Sequence, residues 1–129
     1  MRAENWPALL ARHLDTPRPF AWGTCDCALW AADWVRDCTG ADPAGGWRGT
    51  YKTGRGAKAK LAAAGFSGVE ALADSFLPSK PLPLAGRGDV VLHPSGALGV
   101  CNGLKSHFLT ASGMLAEDTL ACSQAWTVG

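Results

Sequence analysis

Apolar residues recur at helical spacing through the first part of the chain. Residues 4–14 carry such a pattern, and Pro7 stands where a first helical turn tolerates proline. A clearer pattern covers residues 27–38 and stops before Gly40, a residue type that often follows the last helical turn. We therefore predict two N-terminal helices, of which the second turns one apolar stripe toward a sheet.

Two shorter helices are predicted beyond a Gly-rich loop at residues 41–54. They cover residues 54–65 and 67–77, and the spacing of Ser67 and Glu70 matches a capping box at the start of the second one. A loop of this length in a small domain is often functional or is held in place by its own side chains.

The second half of the chain changes to short β-like runs separated by turn residues. A proline-rich connector at residues 78–88 ends the helical part. Helices followed by antiparallel strands predict a single α+β domain over residues 1–129, with the helices packed on one face of a β-meander. Five strands are predicted, at residues 89–93, 97–101, 106–111, 114–118 and 124–128.

The composition argues against several classes of partner. Charged residues make up 18% of the 129 residues and the formal net charge is +1, which does not favour a nucleic-acid binder or an acidic-membrane binder. No apolar run reaches the roughly 18 residues that a membrane span needs, so we expect no membrane insertion. The first residues lack the apolar segment of a signal peptide, so we expect folding in a reducing cytoplasm.

The five cysteines predict neither a disulfide framework nor a metal site. Their number is odd and no signal peptide accompanies them. Cys25 and Cys27 are too close for a usual zinc pair, and the three histidines are scattered, so we expect no metal and no cofactor. A redox-sensing bridge between these two cysteines is a further hypothesis, although a bridge across one residue is strained.

The sequence FAWGTCDCALWAADWV, at residues 20–35, places a cysteine at the start of the clearest helix. Asp26 is a good N-cap residue, and Cys27 then lies in the first turn, near unpaired N–H groups and the positive end of the helix dipole. A thiolate is favoured there, so we predict a lowered pKa for Cys27. The alternative is a small buried hydrophobic residue, as we expect for Cys101 and Cys122.

This segment resembles the nucleophile segment of the NlpC-type cell-wall cysteine peptidases, a branch of the papain-like fold in which an Asp-Cys pair opens the central helix. The sequence GRGDVVLHPSGALGVCNG, at residues 86–103, is similar to the second block of that family. In that block a Gly-Asp pair begins a strand and the next strand carries a histidine. The resemblance implies a papain-like NlpC-type fold with Cys27 as the nucleophile.

The closer resemblance is to a smaller branch found in phage tail operons and prophages. It implies assembly in the host bacterial cytoplasm, a final place in the virion tail, and phage tail-tip or baseplate proteins as partners. The matching residues are Phe20, Trp22, Gly23, Asp26, Cys27, Arg48, Gly49, Tyr51, Gly88, Asp89, Leu98, Gly99, Val100, Ala125 and Trp126.

The sequence departs from the peptidase pattern at the catalytic base. The resemblance implies a histidine at the position of Ala97, and alanine cannot accept a proton. His93, at the end of the preceding strand, and His107, on the following strand, are the two candidate substitutes. The alternative interpretations are an exposed turn residue for His93 and an ordinary strand residue for His107.

The candidate binding residues are Asp26, beside the cysteine, and three side chains of the Gly-rich loop. Trp47 and Tyr51 suit the wall of a groove. Four other tryptophans suit the core, namely Trp22, Trp30, Trp34 and Trp126. Arg48 suits a substrate carboxylate, and it equally suits a bond that ties the loop to the domain or exposure to solvent.

Two functions are consistent with this sequence. In the first, Cys27 attacks the amide carbonyl of peptide crosslinks in bacterial peptidoglycan, a histidine transfers the proton, and backbone N–H groups at the Cys27 turn stabilise the oxyanion. In the second, the same fold has lost its base and is a structural component of a phage tail tip or of tail assembly. The alanine at position 97 favours the second function.

Overall fold

The helices precede the strands along the chain, and all four predicted helices are present. A computed structural model describes residues 1–129. None of the helices has the length and hydropathy that a membrane-spanning helix needs. The helices are α1 (Trp6–Asp15), α2 (Cys27–Thr39), α3 (Gly54–Ala63) and α4 (Val69–Phe76). The strands are β1 (Ser79–Lys80), β2 (Val90–Leu92), β3 (Leu98–Cys101), β4 (Lys105–Thr110), β5 (Gly113–Asp118) and β6 (Gln124–Trp126), and two 3-10 helices cover Leu82–Leu84 and Thr119–Ala121.

Six antiparallel strands form one sheet in the order β1-β6-β2-β3-β4-β5. Strands β2 to β5 form the predicted meander, but β6 returns to pair with β2, and β1 pairs with β6. The strand β1 lies within residues 78–88, which the sequence predicts as a connector. That prediction is wrong because β1 contains only Ser79 and Lys80, and so short a strand shows no alternating pattern.

The main core lies between α2 and one face of the sheet. Trp30 and Trp34 on α2 are buried in the same cluster as the strand residues Val100 and Leu109. The Trp34 indole N–H also donates to the Gly88 carbonyl at 2.8 Å, which satisfies its polar group inside the core. This packing holds the start of α2 against β3.

A second, smaller core occupies the opposite face of the sheet, which is called the outer face below. Side chains alternate between the two faces of a strand, so Val90 and Leu92 of β2 belong to the main core while Val91 belongs to the outer one. The buried members of the outer core are Val91, Cys101, Phe108, Cys122 and Ala125.

The ends of α2 follow the local signals in the sequence. Asp26 is the N-cap, and its carboxylate accepts a hydrogen bond from the Leu29 N–H at 3.0 Å. Gly40 ends the helix with a φ of +83°, a left-handed conformation that suits glycine.

The predicted capping box at Ser67 and Glu70 is wrong. The helix α4 begins one residue later than the pattern requires, with Gly68 as its N-cap and no side-chain capping bond. Glu70 therefore occupies the second helical position rather than the third, from which a capping-box side chain reaches back to the cap.

A buried carboxylate joins the two ends of the chain to the start of β2. Asp89 is 1% exposed and accepts hydrogen bonds from Arg2 Nη2 at 3.0 Å and Lys80 Nζ at 2.6 Å. The Gly86 N–H adds a bond at 2.9 Å. Arg2 also donates through Nε to the Val128 carbonyl at 2.7 Å. The two cations and the backbone donor compensate the cost of burying the carboxylate.

A buried histidine joins α1 to α2. His13 is 3% exposed and stacks on the Trp30 ring with centroids 4.4 Å apart. Neither ring nitrogen has a hydrogen-bond partner. Burial, followed by the positive charge of Arg18, lowers the pKa of His13 from 6.5 to about 4, although Asp33 and Asp37 favour the protonated form. The neutral ring is therefore the form that fits this packing.

We expect His13 to make the domain sensitive to acid. The unfolded chain binds a proton at His13 near pH 6.5, whereas the folded chain resists it until about pH 4. Stability is therefore fully present above pH 6.5 and falls as the pH drops to about 4, by about 3 kcal/mol from this residue. Urea unfolding across this range measures the loss, and His13→Phe, which keeps an aromatic ring on Trp30, should remove it. Parallel stability curves for the two proteins would contradict this assignment.

Candidate functional site

Cys27 is the first residue of α2 and is half-buried. Its sulfur makes no hydrogen bond to any side chain. The backbone N–H groups of Leu98, Ala28 and Cys27 itself lie near the sulfur and act to lower the pKa of the thiol. Leu98 is the first residue of β3, so the sulfur lies where the start of the helix meets the start of that strand.

The predicted lowering of the Cys27 pKa is wrong. Burial raises the pKa of the Cys27 thiol above its usual value, and the negative charge of Asp26 raises it further. The backbone N–H groups lower it by less than these two effects raise it. The helix dipole can be read from the sequence, whereas the burial of the sulfur cannot, and capping leaves the charge of Asp26 in place.

Asp26 joins three segments that are separate in the sequence. Its carboxylate, 1% exposed, accepts bonds from the Gly23 N–H at 3.1 Å, the Leu29 N–H at 3.0 Å and the Tyr51 hydroxyl at 2.6 Å. Burial, and then the bond to Asp26, raise the pKa of Tyr51 above its usual value, so its hydroxyl stays a donor. The turn before α2, the helix and the Gly-rich loop are thus held together at Cys27.

Arg48 ties the Gly-rich loop to α2. Its Nη1 lies 2.7 Å from Asp33 Oδ1, and its Nε lies 3.0 Å from Asp42 Oδ2. The hydrogen bonds from Arg48 hold the pKa of Asp42 below its usual value. Arg18 also pairs with the carboxylate of Asp33. The guanidinium is therefore occupied by these two carboxylates and is not free for a substrate carboxylate.

Sequence reasoning missed Asp33 as the anchor of this loop. The residue lies between Ala32 and Trp34 in a largely buried part of α2, and it is itself 4% exposed. A carboxylate inside a buried helical stretch is a signal in the sequence, because such groups are seldom buried without a cationic partner.

His93 lies away from Cys27. It follows β2 in the hairpin turn, and its ring packs edge-on against Phe108 of the outer core with centroids 5.2 Å apart. Its Nδ1 accepts the Ser95 N–H at 3.0 Å, and its Nε2 lies 3.7 Å from Glu117 Oε1. These contacts give His93 a role in capping the turn on the outer face.

His107 faces the same side of the sheet as α2 but lies further along it. In register His107 pairs with Val100, which belongs to the main core. Val100 is two residues beyond Leu98. His107, which lies opposite Val100, is therefore displaced by about 7 Å along the strand from the Leu98 N–H group near the Cys27 sulfur. Burial alone lowers the pKa of His107, and the residue makes no side-chain hydrogen bond.

Ala97 immediately precedes the strand residue whose amide acts on the sulfur. Its side chain packs against the outer core. The position at which the resemblance implies a base therefore precedes β3 and turns its methyl group to the outer face, on the opposite side of the sheet from α2. No histidine side chain is bonded to the Cys27 thiol in this fold.

An apolar cavity of about 120 Å³ opens beside Cys27. Walls from α2, the Gly-rich loop, α3 and α4 enclose it, and 19 of its 21 lining residues are hydrophobic, with Asp26 as the charged one. Trp47 and Tyr51 line it, as the sequence predicts. Trp22, predicted to be core, instead lines the cavity and is 40% exposed.

The five cysteines are free thiols, and no three metal-ligating side chains come together. The fold and site define an α+β domain in which a half-buried cysteine at the start of the central helix borders an apolar groove. The chain belongs to the family described as a domain of unknown function, DUF6950, whose family model matches residues 1–128. Neither a curated protein nor a solved structure matches the chain.

We expect Cys27 to react slowly with alkylating reagents at neutral pH. Its raised pKa leaves little thiolate at pH 7, and burial slows access. Site-resolved mass spectrometry of iodoacetamide labelling should show a rate that is still rising at pH 9. The urea-unfolded chain is the reference. Faster labelling of Cys27 in the folded protein than in urea at pH 7 would contradict the raised pKa.

We expect Tyr51→Phe to destabilise the domain by about 2 kcal/mol, because it removes one donor from a buried carboxylate. Urea unfolding measures the loss. The matched double-mutant cycle with Asp26→Asn should show strong coupling, since the second substitution removes less once the bond is gone. Costs that simply add would mean that the bond between these two side chains contributes nothing.

Proposed function

We propose that this chain is a cysteine-peptidase-like domain of NlpC type that has lost its catalytic base and serves as a structural component of a phage tail tip or of tail assembly. The α+β order of elements and the Asp-Cys helix start support the relationship to the peptidases. The phage-tail assignment comes from the resemblance in sequence.

The observation that carries the proposal is the absence of a proton acceptor at the Cys27 sulfur. Amide cleavage requires a group that delivers a proton to the leaving amine. Ala97 cannot do so, His93 caps a turn on the outer face, and His107 lies further along the sheet. The raised pKa of Cys27 also disfavours amide cleavage, because the thiol itself ionises poorly.

The lining of the groove also supports a binding role. Peptidoglycan stem peptides carry free carboxylates and amines, whereas the groove is apolar and its charged member, Asp26, is fully occupied. The nearby cation Arg48 is held by Asp33 and Asp42. A polar, charged crosslink would therefore leave water without gaining matched partners.

A cysteine peptidase acting on cell-wall crosslinks is the second candidate, and one observation favours it. The backbone N–H groups of Cys27, Ala28 and Leu98 all favour the thiolate form of the sulfur. Such amides can also stabilise the oxyanion that forms when a thiolate attacks a carbonyl. For this candidate, His107 would have to come closer to Cys27 when substrate binds.

The two candidates differ in what Cys27→Ala does. We expect the purified protein to release no peptide fragments from crosslinked peptidoglycan by mass spectrometry, with or without the substitution. In a phage or prophage that encodes the chain, Cys27→Ala should leave plaque number unchanged, because alanine fits the half-buried position. Thermal unfolding of the variant serves as the control for folding.

The opposite result would replace the proposal with the second candidate. Fragment release by the unsubstituted protein that is lost in a stably folded Cys27→Ala variant would identify a peptidase. Fragment release that is lost also in His107→Gln would assign the base.

A further inference from the structure

The chain concentrates positive charge in one segment that flanks the groove. Residues 43–69 contain five basic residues and no Asp or Glu, although the whole chain has a net charge of only +1. Arg48 is the member of this set that ties the loop to α2. The others are Lys52, Arg55, Lys58 and Lys60.

These four cations are exposed and have no partner in the fold. None of them lies within 4.0 Å of a carboxylate, and none donates a side-chain hydrogen bond, in contrast to Arg2, Lys80 and Lys105, which all bond to aspartates. Lys52 and Arg55 also stand at the N-terminal end of α3, where the helix dipole disfavours positive charge. The folded domain does not benefit from this arrangement of charge.

Three of the four unpaired cations lie on α3, which forms one wall of the apolar cavity, and Lys52 precedes that helix. Ala57 and Leu61 of α3 line the cavity, so Lys58 and Lys60 lie on the same two turns of the helix, at its exposed surface. The cavity together with Lys52, Arg55, Lys58 and Lys60 is called the basic groove below.

The acidic residues of the facing wall do not neutralise the basic groove. Asp74 on α4 accepts hydrogen bonds from the Trp126 indole N–H at 2.8 Å and from Gln124 Nε2 at 3.2 Å. The carboxylate of Glu70 is folded back over Gly68, at the start of α4. The cations of the basic groove therefore have no acidic partner on the facing wall.

We propose that the basic groove binds a segment of a protein partner that presents large apolar side chains flanked by carboxylates. This inference rests on the proposed function, since it gives the binding domain a partner of defined chemistry. The small floor residues Ala28, Ala31 and Ala32 leave room for bulky apolar anchors, and the carboxylates face the cations of α3. The exposed aromatic rings of Trp22 and Phe76, 40% and 45% exposed, border the cavity, as aromatic residues do at protein interfaces.

The spacing of the cations favours a peptide segment over an amphiphile with one anionic head. Arg55 and Lys60 are five residues apart, which corresponds to about 7.5 Å along the axis of α3. A single carboxylate or phosphate group can contact only part of a set of cations spread over that length, whereas successive acidic side chains of a helix or strand can pair with several of them. Association is then steered by charge and weakened by salt.

The test uses a synthetic helix-forming peptide with Leu on one face and Glu on the other, labelled for fluorescence anisotropy. One control peptide carries Lys in place of Glu, and another carries Ser in place of Leu. We expect the Glu/Leu peptide to bind the full chain and both control peptides to bind at least about tenfold more weakly. Binding should weaken as salt is raised.

Paired variants locate the site. Lys58→Glu combined with Lys60→Glu should weaken binding of the Glu/Leu peptide by about tenfold or more. Arg12→Glu is the matched control, because Arg12 is an exposed cation without an ion pair on α1, away from the groove, and it should leave binding unchanged. Both changes are at exposed helical positions, so the fold should persist, as circular dichroism would show.

Several results would overturn the proposal. These are no binding of the Glu/Leu peptide, equal binding of the Lys peptide, or unchanged affinity in the Lys58→Glu, Lys60→Glu variant. Tighter, variant-sensitive binding of dodecanoate or of phosphatidylglycerol vesicles would make an anionic lipid the occupant instead. Failure here leaves the inactive-domain proposal intact, because that proposal depends on fragment release from peptidoglycan and not on peptide affinity.

Discussion

The geometry of the candidate site depends on one buried carboxylate, that of Asp26. Its three hydrogen bonds come from the turn before α2, from the first turn of α2 and from the hydroxyl of Tyr51 in the Gly-rich loop. A carboxylate at this depth is costly to leave without donors, so each segment keeps the other two in position. Arg48 adds a second anchor, because it bonds to Asp42 within the same loop and to Asp33 of α2.

The contacts that organise this site disfavour the reactive thiolate form of Cys27. The charge that organises the loop also raises the pKa of Cys27, and the packing that encloses the groove removes water from the sulfur. Papain-like catalysis would require a cation or an imidazole that lowers the pKa of the Cys27 thiol again. Neither group is bonded to the sulfur. What the arrangement provides is an apolar concavity beside a helix that carries unpaired cations.

Local signals in the sequence predicted much of this fold, whereas the pairings between distant segments could not be predicted from it. Periodicity located the four helices and five of the six strands, and Asp26 and Gly40 marked the ends of α2 because capping is decided within a few residues. The face of the sheet that His93 occupies depends on strand register, and a shift of one residue would reverse it. The partners of Arg48 and the depth of Cys27 depend on where the loop folds back, which periodicity does not encode.

The meeting of both chain ends at Asp89 has a consequence for how the domain comes apart. Arg2 is bonded to this carboxylate and to the carbonyl of Val128, whose own N–H lies 3.4 Å from the same carboxylate. Neither terminal segment can therefore fray without loosening the other. Local opening of either segment, and with it hydrogen exchange of the amides there, is therefore governed by a single acidic group.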